Sequence, residues 1–339
     1  MRPDVAIIYN LPTPGRYQDM GEQKAVLGVL DEVESVGGAL AESGYAAVRV
    51  PLSPPLEEVR HRLESLDAGL VFNLFEGFDG RPETEPAVAG MLSELGMAFT
   101  GCPGEALALA LDKARAKKVL EGFGIDTPRF QLIGPGTLPE FSLRFPCIVK
   151  PRAEDASHGL TEDSVVDDFA SLRRQVEMVS RLFGGMALVE EFAGGREFNV
   201  TVVGNDAPEV LPVSEIAYRL PSDRRRLLTY AAKWEPGSLY CECTQPVCPA
   251  RIDADKLRDI TAMALAAFRL LACRGYARVD LREDGEGRLK VIEVNPNPDI
   301  SPGSGTARQS EAAGMTYCRF IEKIALLGAG GCDGHGSQD

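Results

Sequence analysis

The N-terminal part of the chain alternates two hydrophobic rhythms, and that alternation limits its fold more than any other feature. DVAIIYN (4–10) is a short apolar run ending at turn residues, which reads as a buried strand. A helical pattern runs from about Glu22 to Ser43 and stops at Gly44. AAVRVPL is a second strand, LEEVRHRLESL a helix and AGLVFNLFEG a third strand. Strand, helix, strand, helix, strand is the signature of a parallel sheet with crossover helices. Such sheets bind ligands at the carboxyl ends of their strands, here near Asn10 and from Asn73 to Gly77.

The full chain has 339 residues, enough for two or three packed units, and its composition (44% hydrophobic, 25% charged) is that of a globular protein. A net charge of −14 and a pI near 4.9 argue against nucleic acid or an anionic membrane as partner. A small phosphate ligand stays open, provided basic residues converge locally. No apolar run approaches the roughly 20 residues of a membrane span. The N-terminal MRPDVAIIYNLPTPG is too short in apolar residues for a signal peptide, so a cytoplasmic protein is expected. Cys147, Cys273 and Cys318 lie singly in apolar surroundings and read as small core residues. Cys241, Cys243 and Cys248 cluster, but without Cys-x-x-Cys spacing or a nearby His; a reduced cysteine-rich loop is the better reading than a metal site.

From about Gly104 the pattern changes. EALALALDKARAKKVLEGFG reads as one helix, FPCIVKP as a strand cut off by Pro151, and Val165–Phe183 as strand plus helix. Two strands joined at Gly194-Gly195 follow, then an irregular segment (about 221–250), a helix (about 254–272), two strands (277–282 and 289–294) and a closing helix (about 310–327). In the last helix Met315, Cys318, Ile321 and Ala325 form an apolar stripe, and the final residues read as a disordered tail. The expected division is 1–102, 103–186, 187–328 and a tail at 329–339.

The chemistry concentrates in YARVDLREDGEGRLKVIEVN, two alternating strands around a DGEG turn. Side chains two apart share a face. Val279 and Leu281 face one way with Ile292 and Val294; Arg278 and Asp280 face the other with Glu293 and Asn295. Hard oxygen donors of this type suit Mg²⁺, although alternating polar residues equally describe a solvated hairpin face. Lys150 ends a strand beside a loop able to offer N–H groups to phosphate, and Lys113 opens a helix-rich segment. Either lysine alone reads as a surface charge. LVEEF (188–192) puts carboxylates at a strand end, where they could meet a ribose or simply water.

Taken in order, these motifs resemble the ATP-grasp superfamily and, within it, the D-alanine–D-alanine ligase-like branch. The resemblance covers about residues 70–327 and is weaker before that. It implies a mixed α/β (α+β) ATP-grasp fold behind an N-terminal Rossmann-like domain. VFNLFEGFDGRPE is similar to the first-domain substrate segment, and the family histidine there looks replaced by Glu76. ALALDKARAKK carries the first ATP lysine, Lys113; FPCIVKPRAEDASHG carries the second, Lys150, with a loop over the phosphates that includes Ser157. LVEEFAGGREF implies adenine and ribose roles for Glu190, Glu191, Ala193 and Glu197. ARVDLR and VIEVNPNP imply Asp280, Glu293 and Asn295 as ligands of two Mg²⁺ ions (or Mn²⁺). Arg278 matches an arginine that stabilises the reacting groups, and Ser304 falls where the second substrate's carboxylate binds.

The chemistry thereby implied is amide formation: a carboxylate attacks the γ-phosphoryl of ATP, and an amine attacks the resulting acylphosphate. Lys150, Arg278 and Mg²⁺ would offset the anionic repulsion of the first step. With only His61, His158 and His335 available, no convincing Ser/His/Asp set exists. The departures fall on the first substrate's pocket. YNLPTPGRYQD lacks the family's Gly-Gly-x-Ser-x-Glu segment, Ala156 replaces a loop serine, and the family Lys-Tyr pair is Lys233-Trp234. The glutamate, serine and tyrosine that tie the loops are thus expected to be altered. The reading is an ATP-dependent carboxylate–amine ligase whose first substrate is not plain D-alanine, acting on a small acid and an amine as a homodimer. The alternatives are an authentic D-alanine–D-alanine ligase and a non-catalytic Mg·ATP-binding protein.

Overall fold

A computed structural model describes residues 5–13, 15–78 and 80–330. The first unit runs β1 (Val5–Asn10), α1 (Arg16–Asp19), α2 (Gln23–Glu42), β2 (Ala47–Leu52), α3 (Leu56–Glu64), β3 (Leu70–Leu74) and α4 (Thr84–Glu94). Its three strands are parallel in the order β2-β1-β3, with Ile7 opposite both Arg49 and Phe72. Central β1 and its neighbour β3 are buried on both faces, as their apolar runs require. β2 is an edge strand in this sheet, which explains why it tolerates Pro51.

The next stretch departs from the sequence reading. The single helix expected over 105–124 is two, α5 (Gly104–Leu111) and α6 (Lys113–Gly122). Asp112 breaks the run at φ −81°, ψ 86° and accepts a hydrogen bond from Arg115 N at 3.2 Å, capping α6. Lys113 therefore opens a helix instead of lying within one. An antiparallel sheet follows from β4 (Phe130–Ile133), β5 (Cys147–Lys150), β6 (Val165–Val166) and β7 (Ala187–Glu191), ordered β4-β7-β5-β6. Helix α7 (Phe169–Phe183) covers it, burying Leu172, Val176 and Val179 at helical spacing.

β8 (Glu197–Val203), β9 (Glu209–Val210) and β10 (Ser214–Tyr218) begin the largest sheet. The segment read as irregular holds α8 (Tyr230–Trp234), α9 (Leu239–Cys243) and β11 (Thr244–Val247), and its cysteines are free thiols. After α10 (Ala254–Leu270) come β12 (Tyr276–Glu283) and β13 (Leu289–Pro296); the path is β11-β10-β8-β12-β13 with β9 on β8. The closing helix is also two, α11 (Gly305–Ala312) and α12 (Tyr317–Ala329), broken at Gly314 in the left-handed region (φ 83°). α12 buries Phe320, Ile321 and Ile324 against Val29, Val33 and Val36 of α2, closing the chain onto the first sheet. Residues 331–339, most of the expected tail, lie outside the described residues. Among the described residues no helix is long and apolar enough to cross a membrane.

Candidate active site between two sheets

The link from β7 to β8 carries the chain from the four-stranded sheet to the six-stranded one, so a cleft opens between them. That link is pinned where Gly195 N donates to Glu283 O at 2.9 Å; a Cβ on Gly195 would lie 2.7 Å from the same oxygen. Only glycine permits this approach. Lys113, Lys150, Ser157, Glu190, Glu191, Ala193, Glu197, Lys233, Asp280 and Glu293 all line the resulting pocket. Part of the wall is apolar, with Ile148, Leu160, Phe192 and Leu227 packed beside it, as a flat heterocycle requires.

One side of the pocket is cationic. Glu190 Oε1 lies 3.1 Å from both Lys117 and Lys150 Nζ, and Lys117 also donates to Thr127 Oγ1 at 2.8 Å. Burial pulls the Lys117 ammonium down to about 8, with the Lys150 cation adding to the effect and Glu190 opposing it. The Glu190 carboxylate thus holds two lysines in place. Successive strand residues point oppositely, and the Glu191 carboxylate is engaged by Arg144 at 3.2 Å and Arg129 at 3.4 Å, away from those lysines. Glu197 accepts from the Tyr218 hydroxyl and stands 3.6 Å from Arg282.

The opposite side is the β12–β13 hairpin. Asp280 pairs in register with Glu293 and Arg278 with Asn295, placing all four on one face as the alternation predicted. Ile292 breaks that alternation. A bulge sets Val291 opposite Leu281 and leaves Ile292 unpaired, so Val291 fills the core while Ile292 turns into the pocket wall. Asp280 accepts from Arg278 at 2.8 and 2.9 Å, from Asn199 at 2.7 Å and from Asn295 at 3.0 Å. Burial would raise the Glu293 pKa, but Lys113, Lys150, Lys233 and Arg278 outweigh it and hold the carboxyl well below the usual range. Lys113 in turn bonds Asp155 of the covering loop at 2.6 Å and reaches Glu293 at 3.4 Å. Asp155 and Glu293 offset its burial and keep its pKa above that of an ordinary lysine. Two carboxylates and a carboxamide on one rigid face form a hard oxygen donor set that fits Mg²⁺.

Of the expected substrate residues, Arg278 lies on this hairpin and Ser304, Trp234 and Glu76 lie elsewhere. Ser304 caps α11, its hydroxyl accepting from Ala307 N at 3.1 Å. Trp234 donates to Ala156 O at 3.2 Å, tying α8 to the covering loop. Glu76 is exposed just beyond β3, but crowding by the surrounding protein, and then Asp299 and Asp155, push its pKa up to about 8. Glu32 of α2 sits fully buried beside them, accepting from Ile300 N at 2.8 Å.

Glu22, just before α2, ties the covering loop by accepting from His158 at 2.7 Å and Gly159 N at 3.2 Å, a contact between segments 136 residues apart that the sequence reading does not include. Lys117, Asn199 and Arg282 were also missed; the alternation of β8 could have flagged Asn199, which lies opposite Asp280.

Two sheets closing on a cleft with paired lysines facing an acidic hairpin define an ATP-grasp ligase. A family model described as the D-ala D-ala ligase C-terminus matches residues 136–325. An uncharacterized protein of Sinorhizobium fredii is 36% identical over 301 residues, spanning 86% of this chain and 85% of that protein. The D-alanine–D-alanine ligase of Actinobacillus succinogenes is 28% identical over 306 residues, 88% of this chain and 92% of the relative. The crystal structure of D-alanine–D-alanine ligase from Bacillus anthracis matches with a TM-score of 0.73 at 20% identity, over 96% of this chain and 97% of that one. The chain belongs to the D-alanine–D-alanine ligase family of ATP-grasp ligases.

Proposed function

We propose that the protein joins a small carboxylic acid to an amine through an acylphosphate, using Mg·ATP, and that its first substrate is not plain D-alanine. The observation that carries the reading is the approach of Lys113 and Lys150 to the hairpin face that bears Arg278, Asp280, Glu293 and Asn295, with Lys113 reaching Glu293 at 3.4 Å. In this reading Lys113 and Lys150 receive the ATP phosphates, while Asp280, Glu293 and Asn295 would hold Mg²⁺. Mg²⁺ bound there supplies positive charge against the phosphates. Arg278, aligned by its bidentate bond to Asp280, faces the reacting carboxylate and phosphoryl groups. In the same reading the apolar wall beside Ala193 would take the adenine and Glu197 the ribose, both of them pocket-lining residues.

The departure from D-alanine rests on the other end of the cleft. Glu76, Asp299 and Glu85 gather there, each raising or feeling the charge of its neighbours. Such a group favours an ammonium-bearing substrate over an acidic one. In the same reading Ser304, at the head of α11, would meet a second carboxylate, a reading supported by its position at a helix N-terminus. The same reading includes a cytoplasmic homodimer, which light scattering checks for assembly. To test the reaction, phosphate release from Mg·ATP is measured with D-alanine alone and with a panel of amino acids and amines. Robust dipeptide formation from D-alanine alone favours an ordinary D-alanine–D-alanine ligase; no ATP consumption on any pair, despite tight Mg·ATP binding, favours a non-catalytic binder.

A further inference from the structure

The covering loop is held down by a contact that none of the ATP-site residues makes. His158, 7% exposed, carries its ring between two others, 3.9 Å from Tyr17 at 18° and 5.7 Å from Tyr230 at 29°. Its Nδ1–H donates to Glu22 Oε2 at 2.7 Å, and Gly159 N donates to the same carboxylate. Three segments distant in sequence thus meet on one imidazole: the start of α2, the loop at 154–160, and α8. The flanks repeat the pattern. Tyr17 donates to Glu154, Arg16 pairs with Glu154 at 3.0 Å, Ser157 Oγ donates to Leu228 O at 3.0 Å, and the Trp234 indole donates to Ala156 O.

The loop needs holding. Ala156 and Ser157 sit in the left-handed region at φ 53° and 62°, a conformation that persists in non-glycine residues only when surroundings over-determine it. Both faces of the His158 ring are covered and its Nδ1 is committed to Glu22, so what this side chain supplies is position.

We infer that His158 is a positioning residue: by fastening the covering loop to α2 and α8, it keeps water from the acylphosphate until the amine arrives. The inference rests on the function proposed above. With the loop loose, water attacks the acyl carbon, the bond from that carbon to the phosphoryl oxygen breaks, phosphate leaves, and the acid is regenerated with release of a proton. ATP is then consumed without amide formation.

Trp234, the chain's single tryptophan, reports the fastening without any need for turnover. Acrylamide quenching of its fluorescence in the full protein with Mg·ATP rises several-fold in His158→Ala. It rises less in His158→Asn, which keeps a donor for Glu22 but loses the stack. With acid and amine present, the ratio of phosphate released to amide formed increases in the same order, whereas a general loss of structure lowers both products together. Should His158→Ala fail to fold, Glu22→Gln keeps the size of the side chain, weakens the acceptor, and carries the same expectation. Wild-type quenching together with a wild-type ratio in these variants overturns the inference. If the wild-type protein makes no amide from any pair, the proposed function falls instead, and quenching alone decides the fastening.

Discussion

Glu293 owes its ionisation to the cations around it, so its removal is felt in chemistry before stability. Glu293→Gln keeps the shape but loses a ligand and an anionic partner of Lys113; turnover falls by about 10²-fold or more. Its side chain keeps partial access to solvent, so the melting temperature changes little, and surviving activity contradicts the metal assignment. Glu76 is read by pH. Its carboxyl, pushed up to about 8, ionises only as pH rises through that value. The KM for an ammonium-bearing substrate therefore falls with rising pH in the wild type and stays flat in Glu76→Gln; parallel profiles contradict the role. Glu32 is read by stability. It binds its proton more tightly folded than unfolded, so its contribution is full below the ordinary carboxylate range and is lost as pH rises through its raised value. Glu32→Gln, which can still accept from Ile300 N, raises the melting temperature more at about pH 8 than at about pH 4; an equal shift at both contradicts it.

Elements place these residues, and they were legible in the sequence to the extent that their signals were local. The parallel β1–β3 unit, the hairpin and its polar face follow from apolar runs and period-two alternation within single segments. The break at Asp112 was missed because ALALALDKARAKK has helical propensity throughout, and only the capping bond to Arg115 N shows the interruption. The bulge at Ile292 was missed because a bulge belongs to a strand pair, and no property of one strand announces the extra residue. The contacts of Glu22 and Glu190 were not legible for a related reason: their partners lie far away in sequence, and pairing is invisible until the fold brings them together. At this scale the link between the two sheets makes its own prediction. Gly195→Ala drives a Cβ into Glu283 O and lowers stability by about 1–3 kcal/mol, measured by denaturant unfolding; an unchanged midpoint means the link is not pinned there.

The molecule as a whole is three sheets arranged so that one cleft receives groups from nearly every part of the chain. α12 returns to α2, and Glu32 of α2 anchors Ile300, so the first unit and the acidic end of the cleft are mechanically joined. Asn297 strengthens that join by accepting from Cys102 N at 2.7 Å, against Gly101 at a point where any Cβ would lie 2.3 Å from the Asn297 oxygen. On the proposed function, Mg·ATP at a hundred times its Kd stabilises the folded state by about 2.7 kcal/mol, seen as a rise in melting temperature that Lys150→Ala diminishes; an equal rise in Lys150→Ala contradicts the role of that lysine. The central claim, carboxylate activation as an acylphosphate, is tested most directly by isotope. A carboxylic substrate labelled with ¹⁸O is incubated with Mg·ATP and amine, and the released phosphate is analysed by mass. The account predicts one labelled oxygen transferred to each phosphate formed with amide; phosphate carrying no label contradicts it.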